Sequence, residues 1–452
     1  MSLLPQPDTS LEGAITLHRA GRLADAEIAY QRVLASQPNN PAALHGLGVL
    51  CQQTGRAKEA LDLLRRAVES APTSAACRSS LAAVLGQQGR HVEAAGLLHE
   101  AVRLEPGNAV VHNNLGVALE NLGRPAEAVD AYRRAIALRP GYAEAHNHLG
   151  NVLRALGRLA EAEAAHREAI RLKPDYAQGF NNLAATLNEQ GRQGEAIEWH
   201  RQVVRLRPAS AAAGSDLLHM LHYHPAYGRD RLRDEAVRWA ETHAEPLTRV
   251  AAPHANDPRP DRPLRIGYVS ADFREHPVAR LMEPVLTNLD RSQFHAACYS
   301  DVRRPDEMTA RLHAAAGTWR ETAGLNDEQL AGIVRADQID ILVDLAGHMA
   351  SNRLLTFARR PALVQVTHFN YPDTTGMSAM DWRLTDALSE PMGHADANST
   401  ERLYRLPDCA WVYQPPPNCA EPGPPPALRN GCITFAALNK PENFPSYFLS
   451  GR

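Results

Sequence analysis

The feature that most constrains the fold of this 452-residue chain is a repeat with a period of 34 residues in its first half. Glycine followed by arginine returns at that spacing at Gly21, Gly55, Gly89, Gly123, Gly157 and Gly191. Proline keeps the same period at Pro38, Pro72, Pro106, Pro140, Pro174 and Pro208. An acidic residue followed by alanine keeps it as well, from Asp25-Ala26 to Glu195-Ala196. Three marks in register over six units predict six copies of one structural element.

The marks are those of a helix–turn–helix unit of the tetratricopeptide type. Glycine tolerates the left-handed backbone where the first helix ends, and proline stops the second helix. The small alanine lets neighbouring helices approach closely. Because each unit buries its apolar face only by stacking, residues 11–209 are predicted to form a right-handed superhelix with a concave surface, after an N-terminal tail of residues 1–10.

A column of residues on this superhelix is a candidate peptide-binding surface. The residue before the first-helix leucine in five successive repeats is Gly46, Ser80, Asn114, His148 or Asn182. An amide at this position could hold the backbone of a bound peptide, because it offers both a donor and an acceptor. Asn114 and Asn182 are therefore candidate binding residues, although asparagine is also tolerated near helix starts for purely local reasons.

After Pro208 the register of the marks is lost, and residues 210–261 are expected to form a helical linker. Ser210–His224 and Asp230–His243 both have helical patterns, with Asp230 as the expected N-cap of the second. Residues 251–263 are rich in proline, aspartate and asparagine, which indicates a domain boundary. No cysteine or carboxylate stands at metal-ligand spacing from the linker's histidine cluster, so no metal site is predicted. The cluster consists of His219, His222 and His224.

Beyond residue 262 the pattern changes to alternating strands and helices. Apolar strands are predicted at Arg265–Val269, Phe294–Ser300, Ile339–Leu345 and Leu363–Thr367. The predicted helices are Pro277–Leu289, Asp306–Ala316, Asn326–Ala336 and Asn352–Ala358. Strands and helices in alternation predict a parallel sheet covered on both faces, an α/β Rossmann-like lobe over residues 262–430.

Polar side chains crowd the exit of the first strand of this lobe. Asp272, Arg274, Glu275 and His276 follow Leu264–Ser270 directly. The carboxyl ends of parallel strands are where open α/β sheets bind ligands, although an ordinary solvated loop is the alternative interpretation. The glycine-ended turn at residues 371–376 is expected at the same edge. It matches neither the dinucleotide-binding glycine pattern nor a P-loop, so neither NAD nor a P-loop phosphate site is predicted.

Composition excludes several classes of partner. A net charge of −3 and a pI near 6.7 argue against a nucleic-acid partner, since there is no basic surplus to neutralise phosphates. The sequence shows no signal peptide and no run of apolar residues long enough to span a bilayer, so no membrane association is expected. The six cysteines are scattered without a close pair, which favours reduced thiols and a cytoplasmic location.

Four strings of the second half, read after the six tetratricopeptide units, resemble the protein O-GlcNAc transferases, and most closely their bacterial, SPINDLY-like branch. The strings are RIGYVSADFREHPVARLMEPVL, DILVDLAGH, RRPALVQVTHFNYPDTTGMSAMDWRLTDA and ITFAALNKPEN. The resemblance implies two Rossmann-like lobes and transfer of N-acetylglucosamine from the nucleotide sugar UDP-GlcNAc to Ser or Thr hydroxyls of proteins. It implies no metal and no other cofactor. The family's Asp-Phe-x-x-His-Pro motif puts Asp272 and His276 at the sugar.

The resemblance extends to further site residues. The family turn that packs on the sugar, usually Leu-Gly-Tyr-Pro-Gly, corresponds here to Phe369, Asn370 and Pro372 with their neighbours. Members also carry an important histidine in the helical link, assigned here to His224, with His222 close behind. Asn114 and Asn182 match the family's asparagine ladder, whereas Gly46, Ser80 and His148 depart from it.

The family's second lobe carries most contacts to the nucleotide, and only its first strand is recognisable here. Residues 431–452 resemble that start and then leave the pattern with FPSYFLSGR. The chain by itself is therefore expected to transfer sugar poorly. A catalytically inactive, peptide-binding tetratricopeptide scaffold is the main alternative, and a lobe that uses a hexose or GDP-fucose donor is another.

Overall fold

The computed structural model describes residues 10–411, apart from residues 258, 260 and 369. They fall into two compact units, which divide between Thr186 and Leu187. Within these residues, no helix combines the length and the apolar character needed to cross a membrane. Two predicted regions, residues 1–9 and the start of a second lobe at 431–452, lie outside the described residues.

The repeats form consecutive helix pairs. Their helices are α1 (Leu11–Arg19), α2 (Leu23–Ser36), α3 (Pro41–Gln53), α4 (Ala57–Ser70), α5 (Ala75–Gln87), α6 (His91–Leu104), α7 (Ala109–Asn121), α8 (Pro125–Leu138), α9 (Ala143–Ala155), α10 (Leu159–Leu172), α11 (Ala177–Glu189) and α12 (Gln193–Leu206). The six repeat glycines all have φ between +71° and +78°. Residues with a side chain rarely adopt this left-handed conformation. The prediction that glycine is needed between the paired helices is therefore confirmed.

Close approach within a pair depends on a small residue in the first helix. A Cβ added to Gly116 in α7 would lie 2.6 Å from the ring of Tyr132 in α8. In the next pair, a Cβ on Gly150 would meet the ring of His166 at 2.5 Å. Each large side chain therefore fills the space that glycine leaves, and both Tyr132 and His166 are fully buried.

The helical spacing continues one step beyond the sequence marks. Helix α13 (Ala211–Leu221) begins 34 residues after α11, and Ser210 caps it by accepting a hydrogen bond from the Ala213 N–H at 3.2 Å. The register therefore persists in the helices after Pro208, although the glycine and acid–alanine marks do not. Helix α14 (Arg229–His243) has Gly228 at its N-cap, so the expectation that Asp230 caps it was wrong. Asp230 lies inside the first turn, and the short helix α15 (Glu245–Thr248) follows.

The lobe of the second unit is built on a seven-stranded sheet in which all neighbours are parallel. The strands are β1 (Leu264–Ser270), β2 (Phe294–Ser300), β3 (Thr318–Glu321), β4 (Ile341–Asp344), β5 (Val364–Thr367), β6 (Trp382–Asp386) and β7 (Arg402–Leu406). The helices are α16 (Pro277–Thr287), α17 (Glu307–Ala315), α18 (Asp327–Ala336), α19 (Leu354–Ala358) and α20 (His394–Ala397). The predicted α/β lobe is confirmed, and three further strands, β3, β6 and β7, are added to it.

The strand order, β3-β2-β1-β4-β5-β6-β7, creates one point where the winding reverses. The chain first builds outward from β1 to β3, and then crosses to the other side of β1 to build β4 to β7. At such a switch point the loops after the two central strands diverge and leave a crevice at their carboxyl ends. The loops that follow β1 and β4 are therefore where the topology favours a ligand.

Candidate functional site

The loop after β1 is fixed by one buried aromatic side chain. Phe273 is fully buried, with its ring centroid 5.6 Å from that of Trp319. The residues on either side of it stay accessible, and Arg274 donates to the Asp272 carboxylate at 3.4 Å. The Asp272 N–H donates in turn to the Ser270 hydroxyl at 2.9 Å. The Asp272 carboxylate is thus held at the mouth of the crevice and not in the core.

His276 ends this loop as the N-cap of α16. Its Nδ1 accepts a hydrogen bond from the Val278 N–H at 3.3 Å. Because a backbone N–H can only donate, the neutral imidazole carries its proton on Nε2. Nδ1 also lies 3.8 Å from the Asp272 Oδ2, and the two side chains are 28% and 17% exposed. The site therefore offers an N–H donor and a carboxylate acceptor side by side.

These two side chains open into a cavity of about 530 Å³ at the carboxyl edge of the sheet. Its walls come from the loops after β1, β2, β4 and β5, so it occupies the switch point. The loop after β4 contributes Ser351, and the loop after β5 contributes Asn370. Asp272, His276 and Asn370, three of the predicted site residues, thus line one space although almost a hundred residues separate the first from the last.

The turn at residues 371–376 is almost wholly buried, and one carboxylate organises it. Glu401 accepts hydrogen bonds from the Thr374 hydroxyl and the Thr375 N–H, both at 2.7 Å, and from the Thr375 hydroxyl. Pro372 stays exposed, while its carbonyl accepts from Arg383 Nη1 at 3.1 Å. Phe369, predicted to pack on the sugar, lies outside the described residues.

Of the two candidate linker histidines, His222 is the one that contacts this turn. Its ring lies edge-on to Tyr371 at 5.0 Å, and Nε2 is 3.6 Å from the Asp373 carboxylate. Nδ1 donates to the Leu218 carbonyl at 2.9 Å, which leaves Nε2 as the acceptor in the neutral ring. The contacts described for His224 are with Tyr227 and the Ala226 N–H. The geometry therefore favours His222 over His224 for a role at the turn, and the role itself stays a prediction.

His348 is a supporting residue that the sequence did not single out. It is fully buried, its Nε2 donates to the Thr375 carbonyl at 2.9 Å, and its Nδ1 lies 3.0 Å from the Ser215 hydroxyl. Burial lowers the pKa of His348 to about 4, so the ring is neutral at pH 7. It links α13 to the turn beside the cavity. Its position in the string LAGH, directly after a buried strand, is the sequence signal by which it could have been found.

Asp344, at the end of β4, holds the neighbouring loop in place. Its carboxylate accepts from the Gly347 N–H at 2.7 Å and from the Thr367 hydroxyl at 2.9 Å. Complete burial raises its pKa to about 6, against the lowering effect of these hydrogen bonds. Gly347 has φ +54°, and a Cβ there would lie 2.2 Å from Tyr371. The loop after β4 can therefore pack against the turn only with glycine at this position.

The two candidate amides of the repeats are half-buried and partly engaged. Asn114 Nδ2 donates to the Ser79 hydroxyl, and Asn182 Nδ2 donates to Asn147 Oδ1, each at 2.9 Å. Both bonds join the first helices of successive repeats. A neighbouring column of amides keeps buried polar atoms that have no hydrogen-bond partner among the described residues. Its members are Asn113, Asn147 and Asn181. A bound peptide on the concave side remains a prediction for Asn114 and Asn182.

Among residues 10–411, apart from the three positions not described, no three His, Cys, Asp or Glu side chains are grouped so that they could hold a metal ion. The cavity instead offers both hydrogen-bond donors and hydrogen-bond acceptors. Such a set suits a neutral, hydroxyl-rich ligand or a polypeptide backbone, both of which need donors and acceptors together.

Comparison with known families separates the same two parts of the chain. Residues 243–414 match glycosyl transferase family 41, and residues 17–84, 108–175 and 141–209 match tetratricopeptide repeats. Residues 73–139, within the repeats, also match a bacterial transcriptional activator domain. The family 41 match contains the whole sheet and the cavity described above.

Curated relatives and a solved structure agree with this division. The chain is 42% identical over 184 residues to the probable UDP-N-acetylglucosamine–peptide N-acetylglucosaminyltransferase SPINDLY of Arabidopsis thaliana, which is 40% of this chain and 20% of that protein. It is 37% identical over 237 residues to the SPINDLY of Hordeum vulgare, 51% of this chain and 25% of that protein. A mutant of the Thermobaculum terrenum O-GlcNAc transferase superposes with a TM-score of 0.60 at 37% identity, covering 69% of this chain and 59% of that one.

The chain therefore spans a fifth to a quarter of the length of these SPINDLY proteins. The helix pairs lie in the region that matches tetratricopeptide repeats, and the parallel sheet lies in the region that matches family 41. The solved relative is bacterial, and it has the same succession of repeats and lobe. Residues 243–414 belong to glycosyl transferase family 41, and the chain as a whole is similar to O-GlcNAc transferases and SPINDLY-like proteins.

Proposed function

We propose that this protein is a protein O-linked N-acetylglucosaminyltransferase, which transfers N-acetylglucosamine from UDP-GlcNAc to Ser or Thr hydroxyls of other proteins. The observation that carries the proposal is the cavity at the switch point, where Asp272, His276 and Asn370 meet in a lobe that matches family 41. The names of the SPINDLY and Thermobaculum terrenum relatives supply the reaction class.

The proposed chemistry uses the two polar groups differently. The acceptor hydroxyl must lose a proton as its oxygen attacks the anomeric carbon, and the Asp272 carboxylate is the acceptor for it at the mouth of the cavity. The His276 Nε2–H is a donor, so it suits an oxygen of the sugar or of the acceptor and does not itself suit removal of that proton. Asn370 and Pro372 are proposed to contact the sugar.

Departure of UDP requires positive charge or N–H donors near its phosphates, since negative charge develops there in the transition state. By family resemblance, those groups belong to a second lobe. The proposal therefore assigns the acceptor and the sugar to the cavity described here, and the nucleotide to that second lobe. The acceptor polypeptide is proposed to run along the repeats, held by Asn114 and Asn182.

The test is transfer of sugar to a serine peptide, followed by mass spectrometry. Wild type, Asp272→Asn and His276→Ala are compared, both as the present chain and as a fusion to the second lobe of a family member. Addition of N-acetylhexosamine by the wild-type fusion, and its loss in both variants, is the expected result. Equal labelling by all three proteins would contradict the roles proposed for the cavity.

Two alternatives are separated by the same assay. Parallel reactions with a UDP-hexose and with GDP-fucose identify the donor, because only the correct sugar adds its own mass. A peptide-binding scaffold is favoured if the peptide binds but no donor supports transfer in either form of the protein. The half-buried amides of Asn114 and Asn182, which occupy the same position in their repeats, are the observation that supports peptide binding by the repeats.

The proposed location is the cytoplasm. The four described cysteines are free thiols, and three of them, Cys51, Cys77 and Cys298, are buried. Free thiols persist in a reducing compartment. Oxidation state after gentle isolation from cells, measured by thiol alkylation, tests this expectation.

A further inference from the structure

A pair of arginines lines the cavity from the loop after β2. Arg303 and Arg304 are both exposed at its wall. No hydrogen bond or ion pair of either guanidinium is found within the described part of the chain. The whole protein carries a net charge of −3, so this local positive charge does not follow from a basic surface.

The carboxylates that share the cavity already have hydrogen-bond partners in the protein. Asp301 is held by Arg353, whose Nη2 donates to it at 2.9 Å, and by the Thr322 hydroxyl at 2.7 Å. Asp306 accepts from the N–H groups of Glu275 at 2.7 Å and of Thr309 at 3.0 Å. The third carboxylate, that of Asp272, faces Arg274 as described above. Arg303 and Arg304 are therefore the charged side chains of the cavity that have no hydrogen-bond or ion-pair partner among the described residues.

The loop that presents the two arginines is anchored at both ends. Asp301, at the start of the loop, is fixed by its hydrogen bonds with Arg353 and Thr322. Asp306, at its end, is the N-cap of α17 and forms a capping box with Thr309. Pro305 fixes its own φ and disfavours a helical conformation at Arg304. The Asp306 bond to the Glu275 N–H also ties this loop to the one that carries Asp272 and His276. Because the loop is anchored, ordering its backbone on binding costs less conformational entropy than ordering a mobile loop would.

We propose that Arg303 and Arg304 bind an acidic side chain of the acceptor polypeptide, close to the residue that carries the reacting hydroxyl. The inference rests on the proposed function, since it takes the cavity to receive the acceptor. Guanidinium groups bind carboxylates with paired, charge-assisted hydrogen bonds. The phosphates of a nucleotide would bring more than one negative charge next to three carboxylates. A single carboxylate therefore fits the mixed lining better.

The experiment measures peptide binding by fluorescence anisotropy at low ionic strength. A serine peptide with a glutamate beside the serine is compared with the same peptide carrying glutamine. Wild type is compared with the double variant Arg303→Gln/Arg304→Gln. The double variant Arg207→Gln/Arg249→Gln serves as the matched control, because it removes the same charge from two exposed arginines outside the cavity. Circular dichroism verifies that each variant is folded.

Wild type and the control should bind the glutamate peptide about 3–10-fold more tightly than the glutamine peptide, and the Arg303/Arg304 variant should lose this preference. An equal preference in all three proteins, or none in wild type, would overturn the proposal. Competition for the glutamate peptide by UDP or inorganic pyrophosphate that depends on the two arginines would assign them to the donor instead. Binding needs no turnover, so a failure of this proposal, seen as peptide binding without the glutamate preference, can be told apart from a failure of the proposed function, seen as the absence of sugar transfer.

Discussion

At the scale of single residues, the hydrogen bond from a backbone N–H decides what His276 can do. An imidazole whose Nδ1 caps a helix keeps its proton on Nε2 while it is neutral, and it then acts as a donor. Asp272 beside it supplies the acceptor. His222 has the opposite arrangement, because its Nδ1 donates to a carbonyl and its Nε2 faces Asp373. Two histidines near one turn are thus given opposite tautomers by their local backbone.

This assignment predicts that glutamine replaces His276 better than alanine does. In a form of the protein that transfers sugar, His276→Ala should lower the rate by about 10²–10⁴-fold, and His276→Gln should retain at least roughly ten times more activity, because its amide still donates. Steady-state rates with a serine peptide measure this difference. Nitrogen-15 chemical shifts of the His276 ring report the tautomer independently. A neutral ring protonated on Nδ1, or equal losses in both variants, would contradict the donor role.

At the scale of elements, two close approaches hold the site together, and both need glycine. The loop after β4 meets Tyr371 at Gly347, and the turn at residues 371–376 meets the backbone of α14 at Gly376. Gly376 has φ +76°, and a Cβ there would lie 2.3 Å from the Ala236 carbonyl group. The linker helices are therefore part of the structure that positions the turn, in addition to connecting the repeats to the lobe.

Gly376→Ala should lower the free energy of unfolding by at least about 2 kcal/mol, since it adds both left-handed strain and a backbone clash. Gly324→Ala is the matched control, because Gly324 has φ +93° and nothing within 4 Å of an added Cβ. The control should cost only about 1–2 kcal/mol, from strain alone. Denaturant unfolding measures both. Equal losses would show that the contact with α14 contributes nothing.

The repeats make a separate prediction at His166. Both of its ring nitrogens are buried without a hydrogen-bond partner in the described structure, and burial lowers its pKa to about 4. Leu64 and Leu98 occupy the same position in earlier repeats and are buried there. His166→Leu should therefore raise the free energy of unfolding by about 1–2 kcal/mol at pH 7. The reverse change, Leu98→His, should destabilise the protein. A less stable His166→Leu protein in thermal unfolding would contradict this account.

Some of these elements could be predicted from the sequence and others could not. The repeats and the strands β1, β2, β4 and β5 follow from periodicity and from apolar runs, which depend only on neighbours in the chain. The strands β3, β6 and β7 mix charged and apolar residues, as RLYRL does in β7, and they form because the sheet already exists beside them. The position of His348 after a buried strand could be read from the sequence, but its contacts could not, since its partners Ser215 and Thr375 are distant in the chain.

At the scale of the whole molecule, buried histidines make stability depend on pH. Burial lowers the pKa of five described histidines to about 4: His166, His200, His219, His348 and His368. The unfolded chain binds these protons near pH 6.5, whereas the folded protein does not until about pH 4. The contribution of these neutral rings to the free energy of unfolding is therefore complete above about pH 6.5, and it is lost as the pH falls towards 4. Asp344 acts in the opposite direction, because its folded pKa is raised to about 6.

Burial also raises the pKa of Asp216 and Glu120, but the five histidines outnumber these three carboxylates, so the melting temperature should fall between pH 7 and pH 5. Each histidine contributes roughly 1–2 kcal/mol of this loss at pH 5. Thermal unfolding followed across this range by circular dichroism measures the slope, and the His166→Leu variant should show a shallower one. A melting temperature that is constant, or higher at pH 5, would contradict the assignment of neutral buried rings.

The measurement that tests most directly whether the cavity receives the acceptor is hydrogen–deuterium exchange with and without a serine peptide. Exchange should slow in the loops after β1, β2 and β4, at residues 271–276, 301–306 and 349–351, because these segments line the cavity. It should be unchanged by the same peptide in an Asp272→Asn/Arg303→Gln/Arg304→Gln variant. Protection confined to the repeats, with these three loops unaffected in wild type, would contradict an acceptor site at the switch point of the sheet.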